Sequence, residues 1–168
     1  MLQTSNTPYS NYLQLQQSFN EDYKCINKQI LALYQLPKKF IEQNEKNIKE
    51  FVKQKSQQNI PHHVELSVCG LRDFAFELED FKLQTMQLFF EHRGYIDRCT
   101  AHMMKLSELK QKSGSFDSSE CTVDYLELIP ELNGMSIGLK DIWLKARSMA
   151  VRLQKIKIRW ERIKQVAV

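Results

Sequence analysis

The sequence is poor in the residues that turn a chain. Its 168 residues include only five glycines and four prolines. An all-β protein of this length needs turn residues at short intervals, so the shortage argues for long helices with few connections. No run of 18 apolar residues occurs, which excludes a membrane-spanning helix. The four cysteines, Cys25, Cys69, Cys99 and Cys121, are scattered singly and lack the paired spacing of structural zinc. Met1 to Ser10 is polar and uncharged, without the basic start and apolar core of a secretory signal. Reduced thiols in a cytoplasmic protein are therefore expected. A phosphate-binding glycine loop, a nucleophile elbow and a dinucleotide fingerprint are all missing. Glu91 and His92 are adjacent, not spaced as the Glu-x-x-His of di-iron bundles. The expectation is a non-enzyme without cofactor or metal.

What the chain does have is spacing. From Leu71 the sequence reads Leu71, Phe74, Leu78, Phe81, Thr85, Leu88, His92, Tyr95, Cys99, His102, Leu106, Leu109. From Leu139 it reads Leu139, Ile142, Ala146, Met149, Leu153, Ile156, Trp160, Ile163, Ala167. Alternating steps of three and four keep one stripe on one side of a slightly underwound helix, as in coiled coils and long-helix bundles. The first seam alone predicts a helix of roughly 58 Å at the standard rise. A third pattern, Tyr12, Leu15, Phe19, Tyr23, Ile26, Ile30, Leu33, resumes beyond Pro37 as Ile41, Asn44, Ile48, Phe51. Its two successive steps of four around Phe19 form a stutter that relaxes the supercoil.

These patterns predict helices up to about Lys55 and from about Val64 to Lys112, then a helical region from near Ser119 that is interrupted around Pro130, with an irregular joint at Asn133-Gly134 and Gly138, and a final helix from about Leu139 to the C-terminus. Turns are expected at Ser56–His63, around Ile60-Pro61, and at Ser113–Ser119. Residues 1–8 read as a disordered lead and residues 9–168 as one helical-bundle domain. Short turns make neighbouring helices antiparallel. The fold class is all-α, an elongated antiparallel bundle of three long helices with coiled-coil-like packing. Proline in a helix interior removes a donor and clashes with the preceding turn, so Pro37 and Pro130 are expected breaks. True corners there would divide the bundle into four or five members. Gly70 and Gly94 are weak points rather than breaks.

Two helices are apolar on the wrong side as well. With Leu71 at heptad position a, the outward f positions of the middle helix are Phe76, Leu83 and Phe90, then Asp97 and Met104. With Leu139 at a, those of the last helix are Leu144, Val151 and Ile158, and position e adds Trp143. A helix that is apolar all round is buried all round. Either a four- or five-helix core encloses these helices, or the outer stripes meet a protein partner: another helical chain or a second copy. The second reading makes Phe76, Leu83, Phe90, Trp143, Leu144, Val151, Ile158 and Trp160 the partner-binding residues, with the tryptophans as anchors.

The last helix is also basic. Nine cations stand between Lys140 and Lys164, opposed only by Asp141 and Glu161. Lys145, Arg152 and Arg159 occupy successive g positions, where charges choose partners and orientation; Arg147 lies nearby. Asp73, Glu77, Glu79 and Asp80 could answer them from within the chain. The same cations could bind nucleic acid phosphates or a peripheral anionic membrane, the two less favoured partners. His92, Cys99 and His102 share one seam, yet no fourth ligand is evident, and core or register-setting roles are expected. The reading is a scaffold or adaptor subunit acting through protein–protein contacts in a larger complex or homo-oligomer.

Overall fold

A computed structural model describes residues 8–57, 62–112 and 119–166. Every described residue except Gln57 lies in one of three helices: α1, Pro8–Ser56; α2, His62–Lys112; and α3, Ser119–Val166. Of the expected turn at Ser56–His63, Ser56 belongs to α1 and His62 and His63 to α2, and residues 58–61 lie outside the described residues. The expected lead, residues 1–8, and turn, Ser113–Ser119, each overlap a helix by one residue, Pro8 and Ser119, and their other residues lie outside the described ones. Pro8 opens α1, where a missing N–H costs nothing and a fixed φ suits the first helical turn.

Each proline sits inside its helix and neither divides it, so the bundle keeps three members, and the irregular joint expected at Asn133-Gly134 and Gly138 is helical instead. The reason is the seam itself. Buried Ile30, Tyr34, Pro37, Ile41 and Ile48, with half-buried Asn44 between the last two, continue the three-and-four rhythm through the proline. In α3, Tyr125, Leu128, Leu132, Met135 and Leu139 do the same across Pro130. An interior proline costs about 3 kcal/mol. Burying each large apolar side chain returns about 1.5–3 kcal/mol, so two or three seam residues on either side outweigh it.

The chain divides into two compact units. One is built from Met1–Gln29 and Phe90–Trp143, the other from Ile30–Phe89 and Leu144–Val168. Each unit contains a stretch of all three helices.

In the first unit, α1 and α2 run antiparallel: Tyr12 meets His102 while Asn27 meets His92. The third helix crosses α2 in the opposite sense again, with Glu131 at His102 and Gly138 against the Tyr95 ring. The core holds Tyr12, Phe19, Tyr95, Tyr125, Leu128, Leu132, Met135 and Leu139.

The second unit repeats the arrangement. The Tyr34 hydroxyl donates to the Leu88 carbonyl, and Glu45 meets Lys82. Its core contains Ile30, Ile48, Leu71, Phe74, Leu78, Phe81, Leu153, Ile156 and Trp160. Trp160 stacks on Phe74 with ring centroids 5.6 Å apart and takes the edge of Phe51 at 5.8 Å. The three-helix bundle expected from the spacing is thus present in each unit.

Candidate functional site

The outward positions of the second unit are apolar and stay outside its core. On α3, Ala146, Met149, Leu153 and Ile156 are buried, while Leu144, Val151 and Ile158 are 57%, 55% and 54% exposed. Cations interleave with them at helical neighbour spacings of three and four. Arg147 stands between Leu144 and Val151, Lys155 between Val151 and Ile158, and Arg162 one turn beyond Ile158, all exposed. The nearby acid Glu161 is engaged by Lys164 at 2.6 Å.

The outward side of α2 in the same unit has the opposite charge. Phe76 and Leu83 are 74% and 64% exposed. Exposed Asp73, Glu79 and Asp80 lie three or four residues from one or both of them, against one exposed cation at that spacing, Arg72. Beside Phe76 an open groove of about 270 Å³ runs between α1 and α2, walled by Ile48, Val52, Ala75 and Leu78. Within the first unit, Phe90 is also exposed, and Trp143 is half-buried with its indole N–H donating to the Gln29 carbonyl oxygen at 2.9 Å. Trp160, expected as a partner anchor, is the exception: only 4% exposed, it belongs to the core described above. Its a position in the seam already assigned it there.

The basic column is largely answered from within. Arg152 donates to Asp80 and to Gln84, each at 2.7 Å, and Arg159 pairs with Glu77. Both guanidinium groups also lie over core rings, Arg152 over Phe81 and Arg159 over Phe74, each 5.7 Å from the centroid. Lys157 covers Phe40 in the same way. Glu79 is met by Lys49 of α1 at 3.4 Å. Of the charge-pairing residues read from the sequence, Arg152 and Arg159 therefore join α2 to α3; Lys145 and Arg147 are exposed, and neither is without an interaction of its own.

The polar seam residues of the first unit are partnered from other helices. His92 Nε2 lies 2.7 Å from Asn27 Oδ1, and burial lowers its pKa. His102 Nε2 lies 3.0 Å from the Tyr12 hydroxyl and its Nδ1 faces Glu131 at 3.3 Å. Burial, with Tyr125 and Glu131 close by, pushes the Tyr12 phenol up to about 12. Burial would raise the Glu131 carboxyl, but hydrogen bonds from Lys105 and His102 outweigh it and hold the group below its ordinary value. The Cys99 thiol is raised by burial, which disfavours the reactive thiolate. No group of three or more potential metal ligands converges among the described residues. The sequence did not single out Asn27, whose polar side chain sits one place off the α1 seam.

None of the three helices, over the described residues, is long and apolar enough to cross a membrane. Comparison of the chain with protein-family models, with curated proteins and with solved structures finds no match.

Proposed function

We propose that the chain is a non-catalytic helical subunit that holds a protein partner against the outward face of α3. The observation that carries this is the exposure of Leu144, Val151 and Ile158 in a unit whose core is already filled by other residues of the same helix. Apolar side chains repeated every seventh residue and left in water are a surface kept for contact. The interleaved cations would orient the partner and exclude basic ones.

Two features favour protein over nucleic acid. Arg152 and Arg159 are engaged by carboxylates and aromatic rings, and the remaining cations alternate with aliphatic side chains instead of forming a polar face. A phosphate-binding stripe is built from cations free to replace counterions. A cytoplasmic setting belongs to the same reading, supported by the free thiols of Cys25 and Cys99.

The test is site-specific photo-crosslinking in cells. A benzophenone side chain at Val151 is expected to yield a discrete protein adduct. The same group at Gln43, exposed on α1 of the same unit, should yield little. Equal labelling at both positions, or nucleic acid in place of protein at Val151, would overturn the reading.

A further inference from the structure

We infer that the partner received by the α3 face is a second copy of this chain, which docks through the outward face of its α2. This deepens the protein-binding reading and rests on it.

The argument is complementarity between two surfaces of one unit. The α3 face offers Leu144, Val151 and Ile158 at intervals of seven, interleaved with Arg147, Lys155 and Arg162. The α2 face offers Phe76 and Leu83 at the same interval, flanked by three carboxylates, Asp73, Glu79 and Asp80, and one cation, Arg72. Equal spacing lets the two apolar rows mesh as a second seam, with opposite charges on its flanks. The groove beside Phe76 gives an incoming aliphatic side chain a recess with walls of Ile48, Val52 and Leu78.

The faces cannot satisfy each other inside one molecule. In this unit α2 and α3 touch through Glu77, Asp80, Arg152 and Arg159, and the f positions point away from that contact. Nor does α3 pair with α3 of a second copy, because that would set Arg147, Lys155 and Arg162 against themselves. Self-pairing of α2 faces would oppose carboxylates in the same way. Asp80 and Glu79 each hold an internal cation, and Gln84 donates to both Asp80 oxygens, yet both side chains remain about half exposed, 56% and 47%, so a second cation can approach them. The patch is narrow, at the weak end of specific interfaces, below about 1,200 Å². Association is therefore sought at high protein concentration.

The experiment is light scattering on the purified full chain over a concentration series, at about 0.1 M and about 1 M salt, where charges are screened over about 10 Å and about 3 Å. The mass is expected to rise with concentration and to rise less in high salt. Two double variants then reverse one face each: Lys155→Glu with Arg162→Glu on α3, and Asp73→Lys with Glu79→Lys on α2. Alone, each carries two faces of like charge, and its association should weaken by at least about tenfold. Mixed in equal amounts, the two variants are complementary at both contacts and should associate again. Circular dichroism and a cooperative urea transition show that each variant is folded, independently of mixing.

A wild-type chain that stays monomeric throughout overturns the inference. So do variants that associate as well as the wild type, or folded variants that fail to recover on mixing. A monomeric chain that still gives a discrete adduct with a different protein at Val151 sinks the second copy while leaving the protein-binding reading in place.

Discussion

The imidazoles in the first unit show how a single residue sets alignment. A histidine in an apolar seam is tolerated only if its ring nitrogens find partners, since an unpaired buried polar group costs about 1–3 kcal/mol. His92 and His102 each find theirs on α1, at Asn27 and Tyr12. Sliding one helix past another would strand both at once, so the pair fixes register. His92 also makes stability depend on pH. Its folded pKa is lowered by burial, so the unfolded chain binds a proton that the folded chain refuses. Stability from this residue is fully present above the ordinary imidazole value of about 6.5 and is lost as pH falls from there toward the lowered folded value. A His92→Gln variant, which keeps a polar partner for Asn27 but does not titrate, should show a smaller drop in urea midpoint than the wild type between about pH 7.5 and about pH 5.5. An equal drop would mean that His92 is not the group responsible.

At the level of the helix, spacing was the legible signal and proline the misleading one. The seam from Leu71 to Leu106 is buried as read, with only Thr85 half-buried, where its hydroxyl donates to its own helix at the Phe81 carbonyl. The α3 seam from Leu139 to Trp160 is buried throughout. Tyr34 and Pro37 belong to the α1 seam, and Tyr125, Leu128, Leu132 and Met135 extend that of α3. They were obscured because each proline was read as interrupting the rhythm around it. The outer stripes were legible for the same reason as the seams, being rows of apolar residues at f. Which Arg would be consumed internally was not legible, because that depends on how α2 and α3 rotate to face each other. Proline and glycine here lower stability without an evident need for them. Pro130 is exposed, and a Cβ on Gly94 would meet nothing within 4 Å. Pro130→Ala should therefore stabilise by about 1–3 kcal/mol and Gly94→Ala by about 0.5–1 kcal/mol, read as rises in urea midpoint at unchanged slope.

On the scale of the whole chain, what matters is how charge and apolar surface are distributed. A net charge of +4 is too small to define a partner, but it conceals a polarity within the second unit: carboxylates line the outward side of one helix, cations that of the next. The self-pairing proposed for these faces is heterologous, meaning that each copy gives one surface and receives on another. Such contacts either close into rings or continue without a fixed end, and they have no reason to stop at two.

That the two faces lie on different helices means they can be disabled one at a time. A copy carrying only Lys155→Glu and Arg162→Glu keeps a receiving α2 face and has lost its donating α3 face. Mixed into the wild-type chain, it would behave as a chain stopper does in a polymerisation: it accepts a growing end and offers nothing onward. Average assembly size, measured by light scattering at constant total protein, should fall steeply as the altered copy goes from none to about a tenth of the mixture, much faster than simple dilution would lower it. On the proposed pairing, a minority of such copies in a cell would limit the length of any assembly the chain forms.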